Sequence, residues 1–269
     1  MKRVLRENAF AGETHIVTGA GQGIGNNVAT QLALHGARVV LVDLDAGRLE
    51  EAKAEIAKDA VVEPVVAAAN VTDEMQVKAA VAAALEAGDH INGVVNVAGV
   101  TRDTRIVKKS YDDFKFVMAV HLHGTFLFMR EAAFQCWHPM FKANENKPLD
   151  DGVNRFIVNF SSVSARNGNI GQIDYTAAKG AIEAATRTAA REFSGYRVRV
   201  NAIAPGPVNT PMLAEVGDDG IAMMGRATLV GRIAEPIEMA RTVAAIADPL
   251  LFGYTSGQVF AANGGMYIA

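Results

Sequence analysis

Tyr175 and Lys179 stand four residues apart in Tyr175-Thr176-Ala177-Ala178-Lys179, and Ser162 precedes Tyr175 by thirteen residues. On a helix, residues four apart share a face. A free tyrosine, with a pKa of about 10, is a poor proton donor or acceptor at neutral pH. An ammonium beside it favours the phenolate and lowers that pKa. A serine hydroxyl at the tip of the preceding strand can hold a carbonyl or alkoxide oxygen by hydrogen bond. Alone, the Tyr-x-x-x-Lys spacing also arises by chance on surface helices, so its meaning depends on what else the chain carries.

A second constellation lies near the N-terminus, in Thr18-Gly19-Ala20-Gly21-Gln22-Gly23-Ile24-Gly25. Glycines 19, 23 and 25 permit a sharp turn and let backbone N–H groups face a pyrophosphate, and a following helix adds a favourable dipole. The spacing is G-x-x-x-G-x-G, not the usual G-x-G-x-x-G. Asp43 strengthens the reading: it closes the next strand twenty residues after Gly23, where dinucleotide folds place an acid for the ribose hydroxyls. A carboxylate repels a 2′-phosphate, and neither Gln22 nor Leu44 is basic, so NAD is favoured over NADP. Asp43 could instead cap the helix starting near Ala46, although Asp45 is better placed for that.

These residues need a scaffold that brings strand ends together. His15–Thr18, Arg38–Asp43, Val94–Asn96, Phe156–Phe160, Arg199–Ala204 and Val259–Ala261 read as buried strands, rich in Val and Ile. Between them run helical stretches: Gly23–His35, Ala46–Lys58, Glu74–Glu86, Ser110–Phe141, Tyr175–Phe193 and Pro236–Ala247. This alternation predicts an α/β fold, a single-domain doubly wound parallel sheet with helices on both faces. Val62–Ala67 also reads as a strand, and Pro64 places it at or near a sheet edge. Lys142–Asn154 reads as a surface loop. Pro211–Arg232, rich in Met and Gly, reads either as a mobile substrate lid or as an ordinary surface helix pair.

Composition narrows the class. The 269 residues carry 26 Lys+Arg against 29 Asp+Glu, a net charge of −3, which argues against nucleic acid or an anionic membrane as main partner. The one cysteine, Cys136, rules out an internal disulfide and a cysteine-based zinc cage. Beside Trp137 it suits packing better than nucleophilic chemistry. His15, His35, His90, His121, His123 and His138 show no ligand spacing, so no metal is expected and a zinc-dependent alcohol dehydrogenase is disfavoured. No apolar run is long enough for a membrane helix. The charged start Met1–Asn8 lacks the apolar core of a signal peptide. The expectation is a cytoplasmic protein.

Together the motifs resemble those of the short-chain dehydrogenase/reductase family over nearly the whole chain. The matching pieces are Thr18–Gly25, Asn96-Val97-Ala98-Gly99, Ser162, Tyr175–Lys179 and Pro205-Gly206-Pro207-Val208-Asn209-Thr210. The resemblance implies that Tyr175 is the general acid/base, that Lys179 lowers its pKa and holds the nicotinamide ribose, and that Ser162 positions the substrate oxygen. It implies cofactor contacts from Gly19, Gln22, Gly23, Ile24, Gly25, Asp43, Leu44, Asn70, Val71, Ala98 and Gly99 as well as from Tyr175 and Lys179. Asn96 would support the central strand, and Pro205, Gly206, Val208 and Thr210 would cover the nicotinamide. Family members usually form homotetramers through two long helices. Ala177, Ala181, Ala184, Ala185 and Thr188 line one face of the Tyr175 helix with small side chains, which suits close packing between or within chains.

Three positions depart from the family pattern. Val97 replaces a second Asn. Asn70 replaces an Asp that touches adenine, and its amide oxygen can still accept from the adenine amino group. His121, in His121-Leu122-His123-Gly124, stands where the family has an Asn that orders a proton-relaying water. An imidazole can serve that role, or His121 can be a packed helix residue.

The substrate is less legible. Ala98-Gly99-Val100-Thr101-Arg102-Asp103 resembles 3-oxoacyl thioester reductases, and Val120-His121-Leu122-His123-Gly124 resembles hydroxyacyl-CoA dehydrogenases. A carrier-protein reductase would usually prefer NADPH, which Asp43 disfavours. The expected function is an NAD(H)-linked oxidoreductase of a small-molecule secondary alcohol or ketone, a 3-hydroxyacyl/3-oxoacyl thioester on CoA or acyl carrier protein. Sugar, polyol and steroid alcohols stand as alternatives, and a non-catalytic NAD-binding protein is a more distant one. Arg102, Arg105, Lys108 and Lys109 read either as an attractor for the phosphates of an acyl carrier or as a surface balanced by Asp103, Asp112 and Asp113.

Overall fold

Seven strands form one parallel sheet in the order β3-β2-β1-β4-β5-β6-β7. The computed structural model describes residues 5–213 and 216–268. The first four residues of the charged start, residues 214 and 215 of the suspected lid, and Ala269 lie outside the described residues. The chain runs β1 (Thr14–Thr18), α1 (Gly23–Leu34), β2 (Arg38–Asp43), α2 (Ala46–Ile56), β3 (Val65–Ala68), α3 (Glu74–Ala87) and β4 (Gly93–Asn96). It continues through α4 (Tyr111–Met118), α5 (Gly124–Ala132), α6 (His138–Ala143), β5 (Phe156–Phe160), α7 (Ser164–Asn167) and α8 (Ile173–Glu192). Then follow β6 (Arg199–Ile203), α9 (Asp218–Arg226), α10 (Pro236–Ala247), α11 (Pro249–Phe252) and β7 (Val259–Phe260).

The order follows from the pattern of burial. β1, β4 and β5 are buried along their whole length, so both faces of the sheet must be covered. On one face Val28, Leu32 and Leu49 of α1 and α2 pack with Met239 and Val243 of α10. On the other, Val77 and Val81 of α3 pack with Leu127, Phe128 and Trp137 of the long central helix. β3 is an edge strand and starts directly after Pro64, so the proline's missing donor costs no ladder bond.

The expected single helix over 110–141 is interrupted twice, by π-helical turns at Ala119–His123 and Ala133–Trp137. Each wider turn re-aims the side chains that follow it. The first buries His121. The second buries Cys136 and Trp137, which meet Ile91: its N–H donates to Cys136 Sγ at 3.3 Å, and Trp137 Nε1 donates to its carbonyl at 2.8 Å.

β1 and β4 are neighbours in space, although two βα units separate them in sequence, so the winding reverses direction between them. Such a reversal opens a crevice at the carboxyl ends of the strands. Gly19, Asp43, Asn70, Asn96, Ser162 and Pro205 all lie at or just past those ends.

The pairing of β4 with β5 places Gly93 opposite Phe156, and a methyl group on Gly93 would overlap the Phe156 ring. Both residues are buried in the sheet. Gly93→Ala is therefore expected to lower unfolding stability by about 1–3 kcal/mol through overpacking, read as a lower urea midpoint at unchanged slope.

Candidate active site

Ser161 and Ser162 leave the end of β5, and two backbone bonds pin them. The Ser161 N–H donates to the Ile203 carbonyl and the Val163 N–H to the Pro205 carbonyl, each at 2.8 Å. Ser162 Oγ accepts from the Ser164 N–H at 3.2 Å and stands close enough to the Tyr175 hydroxyl to favour its phenolate. Tyr175 lies in the first turn of α8, and one turn on, Lys179 Nζ stands 5.5 Å from the centre of its ring. The three expected residues do converge.

Their electrostatics differ from the simplest expectation. Lys179 is buried, and its Nζ donates to the Phe160 carbonyl at 2.6 Å. Burial disfavours the ammonium and pushes its pKa down to about 7. Tyr175 does not become the more acidic partner in the bare site. Its pKa is raised, first by burial and also by the charge of Asp103, while the nearby Ser162 works the other way.

His121 is buried, and its ring meets the Tyr175 ring edge-on at 5.0 Å. Its Nε2 lies 2.7 Å from the Val100 carbonyl oxygen and 3.1 Å from the Val100 nitrogen. Nδ1 is buried with no protein partner. Burial, aided by the nearby Lys179, lowers its pKa to about 3, so the ring is neutral throughout the working range. A methyl on Gly99 would overlap this ring, which explains the glycine there. His123 is exposed, so the two histidines face different surroundings.

The glycine loop forms a cradle between β1 and α1. Gly19 and Gly23 have φ of 67° and 58°, conformations that favour glycine. A methyl on Gly25 would overlap the Gly19 carbonyl, so the helix start packs directly on the loop. Gln22 is the N-cap of α1 and makes no side-chain cap bond, and Ile24 follows in the first turn. Thr210 arches over the loop: its methyl would lie 3.7 Å from a methyl on Gly23. Pro205, Gly206 and Val208 lead into it, with the Gly206 N–H donating to Ala262 and Val208 bridging to Ala234. Thr18 Oγ accepts from the N–H groups of Val97 and Ala98 at 3.0 and 3.1 Å, tying the loop to the Gly99 turn.

Asp43 closes β2 and accepts from the Gly21 N–H at 3.1 Å. Asp45 is the N-cap of α2, accepting from Arg48 N–H at 3.1 Å, so capping does not fall to Asp43. Leu44 is 73% exposed at the rim. Asn70 follows β3, but its Oδ1 already accepts from the N–H and hydroxyl of Thr72 at 3.0 and 2.8 Å. An adenine amino group would have to displace one of them. Val71 is buried and fills the space over Gly124. Asn96 Nδ2 donates to Asn159 Oδ1 at 2.8 Å, and Asn159 Nδ2 donates to Thr186 at 3.0 Å. That chain braces β4 against β5 and α8.

Sequence reading passed over one residue and grouped another with exposed neighbours. Arg48 stands beside Gly21 and Asp43, with its Nε 3.3 Å from Asp45 Oδ2. Its signal was its place in the first turn of a helix that starts at the rim of the crevice. Lys109, read as part of a basic run, is removed from the surface: its side chain is 4% exposed and paired with Asp174. Arg102, Arg105 and Lys108 stay exposed, with Arg102 lying 5.0 Å over the Phe116 ring. The sign of a charge shows in a sequence, but its buried partner 65 residues away does not.

Among the described residues, no group of three His, Cys, Asp or Glu could hold a metal ion. Among the same residues, no helix is long and apolar enough to cross a membrane.

Comparison with known proteins agrees with this arrangement. A family model described as enoyl-(acyl carrier protein) reductase matches residues 19–267. Short-chain reductase protein NovJ of Streptomyces niveus is 38% identical over 259 residues, covering 93% of this chain and 92% of its own. 3-Hydroxyacyl-CoA dehydrogenase type-2 of Drosophila melanogaster is 35% identical over 246 residues, covering 88% and 92%. The crystal structure of a 3-ketoacyl-(acyl-carrier-protein) reductase from Brucella melitensis complexed with NADH superposes with a TM-score of 0.83 at 27% identity, covering 96% of this chain and 99% of that one. With the seven-stranded sheet, the glycine cradle and the converging Ser162, Tyr175 and Lys179, these likenesses place the chain in the short-chain dehydrogenase/reductase family of oxidoreductases.

Proposed function

We propose that the protein is an NAD(H)-dependent oxidoreductase that interconverts a secondary alcohol and a ketone, with a 3-hydroxyacyl/3-oxoacyl thioester as substrate. The convergence of Ser162, Tyr175 and Lys179 beside the glycine cradle carries this reading. The cradle suits a dinucleotide: loop backbone at positive φ, a helix N-terminus, and a carboxylate at the end of β2. Gly19–Gly25 would hold the pyrophosphate, Asp43 the adenosine ribose, and the Gly99 turn with Pro205–Thr210 the nicotinamide. Bound there, the cofactor would donate or accept a hydride at the carbon bearing the oxygen.

The chain's own residues handle the proton and the oxygen. Ser162 holds the substrate oxygen, and Tyr175 gives it a proton in reduction or takes one in oxidation. Lys179, titrating at about 7, can pass a proton on at neutral pH. Neutral His121, with Nε2 on the Val100 carbonyl, leaves Nδ1 as a buried acceptor suited to a relay water. His121 thereby takes the place of the family's Asn.

The excursion 211–232 is proposed as a lid within a single-domain enzyme. Its ends are pinned together where Val208 bridges Ala234, and it exposes Met212, Met223, Leu229 and Val230. The thioester reading draws support from the names of the Drosophila and Brucella proteins. A homotetramer is proposed because Ala177, Ala184 and Thr188 on α8 and Phe126 and Phe134 along the central helix lie exposed.

Fluorescence titration should show NADH binding more tightly than NADPH, with added acetoacetyl-CoA consuming NADH. Arg48 already engages Asp45, so the charge of Asp43 decides the preference, and Asp43→Ala should narrow it at least about tenfold. A preference for NADPH in the wild type would reverse the cofactor assignment. NADH binding without turnover would remove the thioester and direct the search to other secondary alcohols. Tyr175→Phe should lower kcat by at least about 100-fold at saturating NADH, and retained turnover would reject Tyr175 as acid/base. His121→Leu should lower kcat by at least about tenfold, whereas His121→Asn should keep it. Neither should move a pH limb between about 5 and 9, because the imidazole titrates at about 3. Full activity in His121→Leu would make it a packing residue only.

A further inference from the structure

Beside the proposed acid–base group lies an ion pair in a dry setting. Lys109 Nζ stands 2.8 Å from Asp174 Oδ2, with the side chains 4% and 1% exposed. Lys109 also donates to the Arg102 carbonyl. Asp174 is the residue before Tyr175, and its Oδ1 accepts from the Tyr175 N–H at 2.9 Å. Two more bonds follow the same seam. The Thr104 N–H donates to the Gly171 carbonyl at 3.0 Å, and Gln172 Nε2 donates to Asp103 Oδ2 at 2.7 Å. At its start the segment is held again, where His121 contacts both backbone groups of Val100.

A buried ion pair is a poor source of stability, because desolvating two charges offsets their attraction. A clamp of this kind does fix relative position, and removing one partner leaves a buried charge uncompensated. We propose that Lys109 and Asp174 are a positioning pair, a charge-balanced clamp that docks segment 100–110 onto the first turn of α8 and holds Tyr175 in register without adding net charge beside it. The proposal rests on the reading of Tyr175 as the acid–base group.

The groups facing Tyr175 define the background against which the clamp acts. They are Ser162 from the end of β5, Lys179 from its own helix, His121 from the π-helical turn, and Asp103 from the docked segment. Breaking the pair adds one charge of known sign to this set. With Lys109 neutralised, Asp174 stands alone and opposes the phenolate. With Asp174 neutralised, Lys109 stands alone and favours it.

The test uses Lys109→Met, Asp174→Asn and the double variant. Alkaline absorbance titration, taken as the difference from Tyr175→Phe, reads the ionisation of Tyr175 without a substrate. The midpoint should rise in Lys109→Met and fall in Asp174→Asn, each by about half a pH unit or more, and return in the double variant. With acetoacetyl-CoA, kcat should fall about tenfold in each single variant and recover only in part in the double, which regains the charge balance but not the clamp, while the NADH Kd stays unchanged; full recovery would leave the pair no positioning role. Midpoints that move together or not at all would overturn the proposal, as would a double variant no better than the singles. A contribution to stability alone would lower Tm without this split in sign. If the single variants do not fold, the double variant decides by itself: a wild-type midpoint with a lowered kcat supports the clamp, and a wild-type kcat or a shifted midpoint rejects it. Turnover retained in Tyr175→Phe would count against the acid–base reading, while the titration still tests the clamp.

Discussion

The tie from Thr18 Oγ to the N–H groups of Val97 and Ala98 spans the crevice where the sheet reverses its winding. It carries the pairing of β1 and β4, which ends at Thr18 and Asn96, on into the turns that follow. With it, the glycine loop and the Gly99 turn form one surface. The arrangement depends on the parallel order of the sheet, which sends every carboxyl end to the same side. Asp43, Asn96, Ser162 and Pro205 come from four different strands and still converge. The bracing Asn96–Asn159–Thr186 chain extends the same logic below the surface, joining two strands to the helix that carries Tyr175 and Lys179.

Burial then shapes the chemistry. It pushes Lys179 down to about 7 and raises Tyr175, so their proton affinities move apart and the lysine becomes the group that titrates near neutrality. In water the two would differ little, but both would titrate far above neutrality. The dry setting lowers the lysine, and the Phe160 carbonyl fixes its ammonium in place. The cost is a tyrosine that holds its proton more firmly than a free phenol does.

Much of this was legible in the sequence because local rules govern it. Continuous apolar strands between amphipathic stretches called for a covered parallel sheet, and the edge position of β3 followed from Pro64. Asp43 and Asp45 were separable as strand end and helix cap by position alone. What escaped depends on contacts across long separations. The π-helical turns leave no local mark, since Ala119–His123 has the composition of any helix. Lys109 shared its neighbourhood with three exposed basic residues and differs from them only through Asp174. Asn70 was a suitable acceptor on paper, and its oxygen is taken up by Thr72 two residues on.

His121 shows how a departure from a family pattern is absorbed. An imidazole is bulkier than an asparagine side chain, and here it sits in a π-helical turn. The ring then lies where a methyl on Gly99 would overlap it, so glycine and histidine form a matched pair. Because one imidazole nitrogen is engaged at Val100, the other is left as the polar atom of the pocket. A buried polar atom without a partner is costly unless water or a ligand satisfies it. The substitution therefore holds the Gly99 turn and leaves a hydrogen-bonding group close to Lys179, two tasks that a purely apolar packing residue could not combine.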